Sequence, residues 1–354
     1  MPAEANSHRR GAARNCSLLH RVTSTAVIQT KQGIGDVIWH LPFIRAIAAA
    51  SGDGAVTFLT LPSTYARDLL QAEPCVAQTL YFENRGSELE RGLHILRLIH
   101  LLRRLRCETV WILDRSARPA FCALMAGVRR RIGVGFGAQR LFITNAGIDG
   151  ALAHAQPIEW LKALMVTMDI ECSTEPNLRL PIAVVEAIGE RYHQHPPPRV
   201  VLALGGSHPA KDWPMQHWMQ FMIELRARMS GTIFMIGGPD HVERAQHLIA
   251  LTRGTPTVNA CDLTILEAAA PLRGADLFVG PDSGPMNLAA AVGTTSFGLF
   301  GATPVLTYSR FINPILPDDG GPPTLDGMQR ISPGQVLERI APYLASAASK
   351  ATSG

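Results

Sequence analysis

The sequence predicts an α/β protein made of two successive open, doubly wound parallel sheets, and three observations point there. Short β-branched runs alternate with longer helical patterns from about residue 24 onward. Each strand-to-helix junction carries Gly, Ser or Asp. The alternation breaks once, in a proline-rich stretch, and then restarts. A chain of 354 residues is long enough for two separate cores.

In the first half, apolar runs at 26–29, 55–59, 78–81 and 109–113 are expected as strands, with helices near 37–50, 63–72, 88–106 and 117–126. These make a first domain over 24–172, preceded by an arm, 1–23, whose Arg and Gly content predicts disorder. Residues 173–198 are expected as a connection, because Pro196 to Pro198 fit neither a helix interior nor a central strand. The pattern resumes with strands at 200–204, 232–236, 257–258, 276–279 and 296–300, and helices near 215–229, 240–252, 263–272 and 284–292. This second domain spans 199–338 and is followed by a helix and tail, 339–354. Two open parallel sheets predict a ligand at the carboxyl ends of the strands, in the cleft between them.

A net charge of +4 is too small for a nucleic-acid coat and suits a protein that handles anionic ligands. The six cysteines lack both a C-x-x-C pair and a His at metal-ligand spacing, which predicts neither zinc nor disulfides and favours a reducing compartment. Without an apolar run of membrane-spanning length or a signal-peptide core, the chain is expected in the cytoplasm.

Three segments can carry chemistry. The first, Gln29 to Pro42, leaves a strand through Gly33 and Gly35 and enters a helix at Asp36. Asp36 has two readings, a carboxylate that caps its own helix and a general base at the strand ends. The G-x-G lacks the third glycine and distant acid of a dinucleotide fingerprint. The second segment, Gly205-Gly206-Ser207-His208-Pro209-Ala210-Lys211-Asp212-Trp213-Pro214, puts a lysine in a glycine-rich loop, where it can neutralise a departing phosphate. The third, Gly280-Pro281-Asp282-Ser283-Gly284-Pro285-Met286-Asn287, ends a buried strand and opens a small-residue helix whose N–H groups suit an anion. Between the last two, Asp240 and Glu243 follow a strand and a glycine turn, either as ribose acceptors or as an acidic first helical turn.

Taken in order, G-I-G-D-V-I-W-H-L-P, G-G-S-x-x-x-K-D-W-P, I-G-G-P and G-P-D-S-G-P-M-N-L-A-A-A resemble glycosyltransferase family 9, the bacterial heptosyltransferases, over residues 24 to about 345. The resemblance implies a GT-B fold, an ADP-heptose donor on the second domain and a lipopolysaccharide inner-core acceptor on the first. It also implies inverting transfer without a metal or other cofactor. Asp36 is then the base. Ser207, Lys211, Glu243, Asp282, Ser283, Gly284 and Asn287 are donor-binding, while Gly35, His40, Arg115 and Arg118 are acceptor-binding. Two departures stand out: Asn287 replaces the family's usual His, which implies an altered donor contact, and 303–326 is rich in Pro and Gly and lacks the usual cysteine-containing pattern.

The expected partners are a nucleotide-sugar donor and an anionic glycolipid, with no nucleic acid and a single chain as the working unit. Arg129 to Arg131 add a basic run, and 88–106 reads as a basic amphipathic helix. That helix is either an ordinary surface element or a contact with the inner leaflet. Two rival functions share the fold: a sugar-nucleotide 2-epimerase and a nucleotide-binding homologue without catalysis.

Overall fold

The computed structural model describes residues 23–206, 208–251, 256–306 and 308–353. The N-terminal arm and Ser207 therefore lie outside the described residues, apart from Thr23 at the arm's edge. The first domain contains β1 (Thr25–Ile28), α1 (Ile34–Ala50), β2 (Val56–Thr60), α2 (Ala66–Leu69), β3 (Val76–Tyr81), α3 (Glu88–Leu105), β4 (Thr109–Ile112), α4 (Ala117–Met125), β5 (Arg130–Gly133) and α5 (Pro157–Thr167). Next come α6 (Ile182–His193), β6 (Arg199–Ala203), α7 (Met215–Arg228), β7 (Thr232–Ile236), α8 (Val242–Leu251), β8 (Thr257–Asn259) and α9 (Ile265–Arg273). The chain closes with β9 (Leu277–Pro281), α10 (Gly284–Ala291), β10 (Ser296–Leu299), β11 (Ile312–Ile315) and α11 (Pro333–Ser353).

The strands form two parallel sheets, ordered β3-β2-β1-β4-β5 and β11-β10-β9-β6-β7-β8. Both orders reverse direction beside the domain's first strand, between β1 and β4 and between β6 and β9. Loops diverge at such a point and leave a crevice at the strand ends. That topology fixes where each domain can hold a ligand.

Two strands and two helices were not anticipated by periodicity. β5 carries Arg130 and Arg131 at a sheet edge, where charge blunts pairing but also hides the apolar pattern. β11 contains Pro314, which a ladder tolerates at an edge. α5 opens with Pro157, and α6 occupies residues 182–193 of the stretch expected as a bare connection. α6 packs on α9, and Tyr192 meets Phe234 edge-on at 5.0 Å, so this helix sits with the second sheet.

α1 is apolar on every side because it is covered on every side. Val37 through Ile44 are all buried, and α1 packs on α10 of the second domain. One buried cluster accordingly runs from Phe43 and Trp160 to Met286 and Leu288. The chain between the domains is fastened from both flanks. Arg45 pairs with Glu73 at 2.7 Å and donates to the Pro176 carbonyl at 2.8 Å. On the other flank Leu178 N–H donates to Ala291 O at 2.8 Å, and Glu175 accepts from the Ser309 hydroxyl and from Arg310 N–H.

Candidate active site

The crevice of the first sheet is built around two carboxylates. Asp114, at the end of β4, is buried yet accepts Thr30 N–H at 2.8 Å and Ser116 N–H at 2.7 Å. It thereby ties the β1–α1 loop to the β4–α4 loop. Asp36 is the third residue of α1, and the N-cap position falls to Gly33, whose N–H donates to Asp36 Oδ2 at 2.9 Å. Capping and catalysis are compatible, because a carboxylate holding one N–H retains other lone pairs.

His40 takes a different place from the one expected on the acceptor side. It is fully buried one turn behind Asp36, with Nδ1 against the Asp36 carbonyl and Nε2 3.4 Å from the Leu113 carbonyl. Burial holds its pKa below the ordinary value of 6.5, against opposing contributions from the nearby carbonyls and from Asp36 and Asp114. Fully buried, His40 packs against the helix turn that carries Asp36.

The crevice of the second sheet holds a lysine paired with an aspartate. Lys211 Nζ lies 2.9 Å from both the backbone carbonyl and Oδ2 of Asp282, and the Thr303 hydroxyl donates to the same Oδ2 at 2.7 Å. Ser283 is the N-cap residue of α10, but its side chain makes no capping bond. Its buried Oγ has no hydrogen-bond partner among the described residues. A buried hydroxyl without a partner beside uncapped helix N–H groups is a donor set for an anion. Asn287 follows one turn later, its Nδ2 donating to Ser283 O at 2.7 Å and its Oδ1 accepting from the Tyr308 hydroxyl.

The two crevices meet through α1 and α10. A Cβ added to Gly35 would stand 2.7 Å from Asn287 Nδ2, and one added to Gly284 would stand 3.1 Å from the Ile34 side chain. A side chain at either position would press on the Asn287 or Ile34 side chain of the facing helix. Gly206 comes close on the side of the second sheet, where a Cβ would lie 3.4 Å from that of Ser283. Ile34, Gly35, Gly284 and Asn287 thus stand at the junction of α1 and α10, with Gly206 beside Ser283 and Lys211 paired with Asp282.

Other expected site residues lie outside this cluster. Glu243 is exposed in the first turn of α8, after β7, the strand beside β6. Arg115 is exposed with its guanidinium 5.4 Å from the Trp160 ring centre. Arg118 donates to Asn84 O at 3.1 Å and lines a small cleft with Thr30, His94 and Ser116. Arg131 in the basic run spends its guanidinium on the Phe142 and Val128 carbonyls, both at 2.6 Å. Trp213 is core, as expected, and donates to Ile331 O at 2.9 Å.

Tyr308, Thr303 and Asp114 join the site without having been anticipated. Burial pushes the Tyr308 phenol well above its usual pKa, and the negative charges of Asp282, Glu175 and Asp36 act in the same direction. Tyr308 therefore lies within electrostatic reach of both halves of the crevice.

The model of glycosyltransferase family 9 (heptosyltransferase) matches residues 95–315. No curated protein matches the chain significantly. Among solved structures, E. coli ADP-heptose lps heptosyltransferase II is similar at 19% identity and a TM-score of 0.71, covering 91% of this chain and 99% of its own. E. coli heptosyltransferase WaaC with ADP-2-deoxy-2-fluoro heptose is similar at 15% identity and a TM-score of 0.67, covering 90% and 99%. The UDP-GlcNAc 2-epimerase from Methanocaldococcus jannaschii is more distant, at 11% identity and a TM-score of 0.51, covering 90% and 91%. At such identities the likeness establishes the fold, the two-domain GT-B arrangement.

Proposed function

The chain belongs to glycosyltransferase family 9, the heptosyltransferases, and on that premise we propose that it moves a heptose or related sugar from an ADP-linked donor to a lipopolysaccharide inner-core acceptor. The observation that carries this reading is the meeting of the two crevices, with Gly35 against Asn287 and Gly284 against Ile34. A basic carboxylate on one side and a phosphate-suited donor set on the other can then act on one pair of substrates.

In this mechanism Asp36 takes the proton of an acceptor hydroxyl as its oxygen attacks the anomeric carbon from the face opposite the nucleotide. The bond to the diphosphate breaks, the configuration inverts, and ADP leaves with its growing charge met by Lys211, the Ser283 hydroxyl and the first N–H groups of α10. No metal is needed, because the cation and the helix end supply the charge that a metal would. Glu243 follows the second strand of its domain, where an acid in this fold meets a ribose. Asn287, held by Tyr308, faces the donor from the α10 side. Arg115 and Arg118, at the first sheet's crevice, supply cations for an anionic acceptor. The work takes place in the cytoplasm, at the inner face of the membrane that anchors the acceptor.

A panel of ADP- and UDP-sugars scored for thermal stabilisation, followed by transfer to purified inner-core acceptor, tests the reading. ADP-heptose is expected to raise the melting point most, since a ligand that binds only the folded state stabilises it. Stabilisation by UDP-sugars alone, or isomerisation of donor incubated without acceptor, would replace this function with an epimerase-like one.

A further inference from the structure

α3 buries only Leu98, Ile99 and Leu102. On its opposite side Leu89, Leu93 and Leu96 are 78%, 45% and 63% exposed. Their spacing of four and three residues makes them one stripe. Among the described residues no other helix exposes three large aliphatic side chains in a row of this kind. The stripe runs on into Arg97, His100, Arg103 and Arg104, all exposed. The acidic residues of α3 are confined to its first turn, where Glu90 closes a capping box on Ser87. Arg97 and Arg104 have no acidic partner among the described residues.

The position of the stripe matters as much as its chemistry. α3 leaves the carboxyl end of β3, so its leucine-bearing turns stand at the edge of the sheet where the crevice opens. His94 and Ile95, from those same turns, line the small cleft with Thr30, Ser116 and Arg118.

We propose that the outer face of α3 docks the enzyme on an anionic lipid bilayer. Leu89, Leu93 and Leu96 enter the boundary between headgroups and acyl chains, while Arg97 and Arg104 meet lipid phosphates. The first domain's crevice then opens beside the membrane plane, where a lipid-anchored acceptor presents its sugar; this purpose rests on the glycolipid reading above. A second copy of the chain fits the face poorly. Three exposed leucines fall far short of the roughly 800 Å² per partner of a stable interface.

Flotation of the full chain with vesicles of phosphatidylcholine alone, or mixed with phosphatidylglycerol, tests this directly. The wild type should float with the mixed vesicles and not with the neutral ones. The triple variant L89Q/L93Q/L96Q should lose on the order of tenfold or more in bound fraction, and R97E/R104E should lose the preference for phosphatidylglycerol. An unchanged helical circular dichroism spectrum and melting point certify that each variant is folded. Equal flotation of wild type and triple variant, or no flotation of the wild type, overturns the proposal. A change from dimer to monomer in the triple variant without a change in flotation also overturns it and assigns the face to self-association. Transfer to a delipidated, water-soluble acceptor separates the two readings. Its absence alongside intact flotation sinks the heptosyl-transfer reading alone, and its presence without flotation sinks the docking role alone.

Discussion

The two sheets share a strand order at their centres, yet their crevices carry opposite chemistry. In the first, carboxylates collect the backbone N–H groups of the loops: Asp114 takes those of Thr30 and Ser116, and Asp36 takes that of Gly33. In the second, the helix that opens the site is left uncapped, Ser283 keeps an unpartnered hydroxyl, and Lys211 stands alongside. The same fold thus holds carboxylates that take up loop N–H groups in one crevice, and in the other an unpartnered hydroxyl beside a lysine paired with Asp282. The difference lies in a handful of loop residues and not in the topology.

Variants can break this contrast one half at a time. Asp36→Asn has the largest expected effect: it removes the base and should cut turnover by about 10²- to 10⁴-fold while ADP still stabilises the protein. Near-normal turnover in that variant would withdraw the role from Asp36. Lys211→Ala strikes the other half and should weaken ADP binding about ten- to a hundredfold, read by calorimetry, since charge-assisted hydrogen bonds are the strong ones. An effect of Lys211→Ala on turnover with unchanged nucleotide affinity would blur the division of labour.

The meeting point itself can be probed. Gly35→Ala places a Cβ where Asn287 Nδ2 is 2.7 Å away, and should cost about 1–3 kcal/mol through overpacking. Adding Asn287→Ala to the same chain should recover part of that loss. Additive effects in denaturant titration would mean that the two residues do not touch in solution.

The smallest expected effect is on pH dependence. Burial depresses the pKa of His40 below 6.5, so the unfolded chain takes up a proton that the folded chain refuses. That contribution to stability is whole above about pH 6.5 and is lost progressively as the pH falls below it, toward the depressed folded value. His195 and His217 are depressed in the same direction. His40→Gln should therefore flatten the fall in urea midpoint between pH 7 and pH 5 in part; an unaltered slope would show that His40 does not contribute.

Much of this architecture was legible in linear order. The β-branched runs marked the central strands, because a parallel strand buried on both faces must be apolar throughout. The glycine-rich junctions after β1, β6 and β9 marked the crevices. What escaped was set by tertiary context. The apolar pattern of β5 is interrupted by Arg130 and Arg131, and that of β11 by Pro314, both at edges. The ion pair of Lys211 with Asp282 spans 71 residues, a separation over which no periodicity operates. Tyr308 and Thr303 come from a Pro- and Gly-rich stretch with no motif of its own. The resemblance put His40 on the acceptor side, and only the packing of α1 between its own sheet and α10 shows that it is fully buried.

α1 and α10 also meet by their first turns, which brings like poles of two backbone dipoles together, each worth about half a positive charge. Asp36 softens one pole, while α10 has no acidic residue in its first turn. An anion at this junction is therefore favoured most at the α10 end, whose pole no acid of its own first turn offsets.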